Sequence, residues 1–113
     1  MKVIWRDKIL CENMKVADSL VDRCVGLMFS KKMDGFDGLL IRPCRSIHTF
    51  FMRYQIDVLF LSKDLVVTKK IIKMKPWRIS SLSWKSTQVL ELEGGTIPKE
   101  LRVGDKIEMT CTN

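Results

Sequence analysis

Long apolar runs are missing from this sequence. The longest, Val58-Leu59-Phe60-Leu61, is four residues, against the ~20 that a membrane-crossing helix needs. The apolar core of a signal peptide is missing too, because Arg6, Asp7 and Lys8 stand where it would have to run. The chain therefore reads as soluble and cytoplasmic, with no membrane span. Histidine occurs once, and Cys11, Cys24, Cys44 and Cys111 form no Cys-x-x-Cys pair. That leaves a zinc ribbon or a thioredoxin-type redox motif without support, and no metal or other cofactor is expected. Without an export signal, disulfides are a poor expectation, and the cysteines read as reduced, buried, small hydrophobes. No phosphate-cradling G-x-x-x-x-G-K-[ST] pattern is present, so Gly94-Gly95 reads as a loop.

What is present fits one domain, residues 1–113. Hydrophobic residues at 46% and charged residues at 29% are those of a globular chain rather than a disordered one. The 20 bases outnumber 13 acids, and the excess is concentrated. Residues 31–85 hold twelve bases against four acids, while residues 86–113 carry three against five. A basic middle segment is a possible phosphate-binding surface. It is also what a solvated lysine-rich strand edge looks like. No helix-turn-helix, finger or RNA-recognition signature accompanies it, so nucleic-acid binding is a possible but not favoured reading.

Short strands dominate the pattern. Lys2–Trp5 and Lys8–Cys11 read as a hairpin turning at Arg6-Asp7. Asp18 or Ser19 can cap a helix running to about Met28, with Leu20, Cys24 and Leu27 on one face. Further strands are expected at Gly38–Ile41, Ile47–Met52, Val58–Leu61, Leu65–Ile72, Thr87–Leu92 and Lys106–Thr110. One helical turn is expected at Pro98–Leu101. The fold class that follows is α+β, mainly β: an antiparallel sheet curled into a small barrel, with one α-helix in the N-terminal half.

Chemistry concentrates in the segment from Cys44 to Asp57. It holds the single histidine, one cysteine, Arg45, Arg53 and an aspartate. A cysteine beside a histidine can form a thiolate–imidazolium pair, with an acid such as Asp57 orienting the ring. In an extended strand Cys44 and His48 would stand roughly 13 Å apart, so the pair requires a turn over residues 44–47. In a strand starting at Ile47, His48, Phe50 and Met52 share one face, and Ile47, Thr49 and Phe51 the other. His48 would then lie at the mouth of the barrel, where pockets form. Cys44, His48 and Asp57 are therefore the candidate catalytic residues. His48, Arg53, Asp57, Trp77 and Arg78 are the candidate ligand-binding residues. Arg23 is a candidate anchor of the helix to a carboxylate. The incomplete catalytic pattern favours a binding module for a small anionic ligand, a peptide or a protein partner. A Cys44-dependent hydrolase or transferase is the alternative.

Several segments occur together in a recognisable order: Arg23-Cys-Val-Gly-Leu-Met28, Cys44 through His48-Thr-Phe-Phe-Met52, Ile56-Asp-Val-Leu-Phe60, Pro76-Trp-Arg78, Val89-Leu-Glu91 with Gly94-Gly95, and Gly104-Asp105. In this order the chain resembles the bacterial and archaeal family known as domain of unknown function 192. The resemblance spans nearly the whole chain. It implies a compact β-rich barrel with one helix, and it carries no established activity. Many relatives read aromatic-Trp-Met where this chain has Phe50-Phe51-Met52.

Overall fold

In a computed structural model the described residues are 1–17, 33 and 35–111. They form eight strands: β1 (Lys2–Trp5), β2 (Lys8–Cys11), β3 (Met14–Ala17), β4 (Gly38–Ile41), β5 (Ile56–Leu61), β6 (Val67–Met74), β7 (Gln88–Glu93) and β8 (Glu108–Thr110). Two separate sheets result, one of three strands in the order β2-β1-β8 and one of five in the order β3-β4-β7-β5-β6.

The near-continuous apolar sequence of β5 has its explanation in this order. All six of its residues are buried, because β5 pairs with both β6 and β7 and both faces of the sheet are covered. Alternation then divides the core in two. Leu40, Leu59, Leu61, Leu90 and Leu92 pack with Val3, Trp5, Leu10 and Cys11 of the small sheet and with Ile97, Leu101 and Ile107. Leu39, Ile41, Val58, Phe60 and Val89 face the other way and pack with Ile47, Met52 and Met74. At Gly38 the two sheets approach closely. A Cβ there would lie 2.7 Å from the Cys11 sulfur and 3.1 Å from a Leu92 methyl.

The expected barrel does not form. The outer strands of the large sheet, β3 and β6, stand at opposite ends of it. Each sheet thus keeps two unpaired edge strands among the described residues, where a closed cylinder has none. Nor is the sheet wholly antiparallel, since β3 and β4 run parallel, Met14 opposite Gly38 through Ala17 opposite Ile41. Among the described residues there is no helix, which corrects the α+β expectation to β for this part of the chain. The expected helix from Asp18 or Ser19 to Met28, with the Arg23 anchor, lies outside the described residues. Pro98–Leu101 closes as one turn, with the Leu101 amide donating to the Pro98 carbonyl at 3.2 Å. Among the described residues no helix is long and apolar enough to cross a membrane.

The expected strand Ile47–Met52 is also corrected. It keeps a single bridge, His48 opposite Ile79, and then turns. The Met52 amide donates back to the Thr49 carbonyl at 3.2 Å, and Phe51 takes φ 65°. That left-handed residue ends the strand alternation, so His48 and Phe50 face solvent while Met52 is buried.

Candidate functional site

The segments 44–53 and 75–86 run side by side as the two limbs of an arm laid over the Leu39–Val58–Phe60 face of the large sheet. Backbone hydrogen bonds join them at regular intervals: Ser83 to the Arg45 carbonyl at 2.8 Å, Ser80 to that of Ile47 at 2.9 Å, and Thr49 to that of Arg78 at 2.8 Å. Ile47 and Met52 anchor the arm by entering the core.

Thr49 is the hinge pin between the limbs. It is fully buried. Its hydroxyl donates to the Lys75 carbonyl at 2.6 Å and accepts from the Arg78 amide at 2.9 Å. Its carbonyl accepts from the Trp77 amide at 2.9 Å and from the Met52 amide. The sequence signal for this role is slight: strand alternation places Thr49 on the same face as Ile47. The second limb is tied to β6: the hydroxyls of Thr68 on β6, Ser86 and Ser83 form a chain, at 2.6 Å and 2.5 Å, and Lys69 of β6 bonds Ser81.

Either side of Thr49 and its partners, Phe50, Phe51 and Trp77 are exposed. Phe51 and Trp77 both adopt left-handed backbone, with φ 65° and 63°, a conformation that is an outlier for bulky residues and gathers at binding sites. Their rings meet edge to face at 4.7 Å between centroids. Phe50 stacks on Trp77 at 5.8 Å, and His48 lies 4.9 Å from Phe50. Phe51, Met52, Arg53 and Trp77 line an open recess of about 380 Å³.

The residues singled out from sequence are thus partly brought together. His48, Arg53, Trp77 and Arg78 all belong to the arm. Arg53 and Trp77 share the recess, His48 joins it through Phe50, and Arg78 is exposed beside Trp77. Asp57 is elsewhere. It is fully buried in β5, between Ile56 and Val58, which point to the arm side, so its own side chain is directed to the opposite face. There one carboxylate oxygen accepts from the Lys73 amide at 2.8 Å. The other accepts from the amides of Gly95 and Ile97 at 3.1 and 2.9 Å. These bonds pin the β7–β8 connection to the sheet. Cys44 opens the arm, its thiol donating to the Ser46 carbonyl at 3.0 Å. The His48 Nδ1 accepts from the Phe50 amide at 3.3 Å.

Two further polar groups lie beneath the arm. Glu91 stands on β7 between Leu39 and Val58 and is only 4% exposed. Burial pushes its carboxyl up to about 8. The buried Tyr54 hydroxyl has no hydrogen-bond partner among the described residues. Burial raises the phenol to about 12, with added repulsion from Glu91 and Glu93. No group of three or more metal-ligating side chains occurs among the described residues.

Fold and site together define, among the described residues, a pair of β-sheets with an exposed aromatic and basic loop arm. The family model for domain of unknown function 192, described as "Uncharacterized ACR", matches residues 3–109, and the chain belongs to this family. A UPF0127 protein of Pyrococcus horikoshii is 36% identical over 101 residues, covering 84% of this chain and 85% of the relative. A UPF0127 protein of Pyrococcus furiosus is 32% identical over 109 residues, covering 93% of each. Among solved structures, a protein of unknown function from Novosphingobium aromaticivorans superposes with a TM-score of 0.73 at 20% identity, over 85% of this chain and 74% of that one. At that identity the likeness is one of fold.

Proposed function

We propose that this protein is a binding module whose recess at Phe51, Met52, Arg53 and Trp77 takes a small anionic ligand with a flat apolar portion. The observation that carries this reading is the convergence of a Trp–Phe pair and an arginine on one opening. A flat group packs against the rings, while the planar guanidinium of Arg53 pairs with a carboxylate, sulfonate or phosphate. Arg78 and His48 supply further polar contacts at the rim. The volume of about 380 Å³ lies within the ~300–1,000 Å³ range of small-molecule sites. The strained backbone at Phe51 and Trp77 presents the rings without a rearrangement on binding, which favours affinity.

A Cys44 nucleophile with His48 as base and Asp57 as orienting acid has less support. Asp57 spends its oxygens on three backbone amides.

Titration with anilinonaphthalene sulfonate, a flat apolar anion, against its uncharged analogue phenylnaphthylamine tests the proposal. The sulfonate should bind saturably at one site and the analogue much more weakly. Arg53→Ala and Trp77→Ala should each weaken sulfonate binding roughly tenfold, the scale of a lost charge-assisted contact. Equal affinity for both probes, or unchanged affinity in both variants, would overturn it.

A further inference from the structure

Beyond the recess, the second limb continues as a stripe of exposed apolar side chains. Trp77 is 55% exposed, Ile79 70%, Leu82 46% and Trp84 74%. Single exposed hydrophobes are ordinary, but four exposed within the eight residues 77–84 of one limb mark a contact surface. Charge is the second observation. Residues 42–56 and 65–90, which include the whole arm, contain no aspartate or glutamate. Arg45, Arg78 and Lys85 are exposed on the arm itself. The limb bonds along one side to the first limb and, through Lys69 and Ser81, to β6. It is thus held as a rigid ledge with its apolar side chains turned to solvent.

We propose that this stripe docks the protein on an anionic membrane surface. Trp77, Ile79, Leu82 and Trp84 enter the boundary between headgroups and acyl chains, and Arg45, Arg78 and Lys85 pair with lipid phosphates around them. Tryptophan is suited to that depth, with an apolar body and a polar N–H. A basic rim around exposed apolar groups is the pattern of interfacial binding, in which burial and attraction to anionic lipid act together. Nucleic acid fits the same charge less well. Ile79 and Leu82 offer no flat face for a base to stack on, whereas both gain from burial among acyl chains. The proposal goes beyond the small-ligand reading, because Leu82 and Trp84 lie outside the recess.

The test is flotation of the full chain with phosphatidylglycerol-containing vesicles and with pure phosphatidylcholine vesicles, at low and high salt. The protein should float only with the anionic vesicles, and high salt should release it. The double variant Leu82→Ser/Trp84→Ser alters two exposed side chains and should lose at least about tenfold in binding. Lys85→Gln should lose roughly fivefold, the scale of one charge near an anionic surface. Circular dichroism on the variants separates a lost contact from a lost fold. Sulfonate binding by the double variant should stay unchanged, so failure here and failure of the recess remain distinct. No flotation with anionic vesicles, equal flotation with neutral ones, or full binding by a folded double variant would overturn the proposal. So would binding to an oligonucleotide, or a dimer, lost in the double variant without any vesicle binding. Those results would reassign the stripe to nucleic acid or to a second copy.

Discussion

Replacing Glu91 by glutamine should change how stability depends on pH. Glu91 is 4% exposed among Leu39, Val58 and Val89, and burial pushes its carboxyl from the ordinary 4.5 to about 8. The native state therefore holds a proton that the unfolded chain releases above its own pKa. The stabilisation from that proton is complete below pH 4.5 and is lost as pH rises through about 8. A tenfold difference in proton affinity between the folded and unfolded chain is worth about 1.4 kcal/mol. Roughly 5 kcal/mol therefore disappears across the window, and about 3 kcal/mol of it by neutral pH. Glu91→Gln keeps the shape and cannot ionise. Urea unfolding of both proteins, followed by tryptophan fluorescence from weakly acidic to mildly alkaline pH, reads the difference directly. The two stability curves should diverge with rising pH, the variant ending as the more stable protein. Parallel curves would refute the reasoning, since groups common to both proteins cancel in the comparison.

Asp57→Asn should lower stability by about 2–4 kcal/mol, because one of the three backbone amides held by this buried side chain then faces an NH₂ group in place of a charged acceptor; chemical denaturation checks this. Gly38→Ala should cost about 1–3 kcal/mol from the 2.7 Å approach to the Cys11 sulfur. Cys11→Ala should recover part of that loss in a double-mutant cycle. The Cys11 thiol is pushed up to about 12 by burial and by Asp37, whereas Cys111 is exposed. Iodoacetamide at mildly alkaline pH should therefore label Cys111 and spare Cys11 in the folded protein, as read by peptide mass spectrometry.

Strand positions were legible wherever local pattern decides them. The Lys2–Trp5 and Lys8–Cys11 hairpin stands where its alternation and the Arg6-Asp7 turn place it, and β4 spans Gly38–Ile41 as its flanking signals indicate. Closure was not legible. Periodicity fixes which residues face the core but carries no information on whether the first and last strands meet, and here β3 and β6 end up at opposite ends. β3 itself escaped notice because Met14–Ala17 is short and lacks a bounding turn signal. Cys111 is expected to be buried like Cys11. It is exposed just past β8, which flanks β1 on the side opposite β2. The site was half legible. His48 and Arg53 drew attention by type, and Trp77 and Arg78 by their loop. The pairing of the limbs through Thr49 is a long-range contact that no local pattern encodes. Asp57 shows the converse: a carboxylate noticed for its chemistry is held by three backbone amides in the core.

The recess is tested most directly by following the backbone amides and the three indole N–H groups by NMR during titration with anilinonaphthalene sulfonate. The account predicts saturable shifts in the Trp77 indole and in the amides of residues 49–53 and 76–79. The buried Trp5 indole, which donates to Asp105, should stay in place. Shifts spread evenly over the surface, or absent from Trp77 and Arg53, would contradict it.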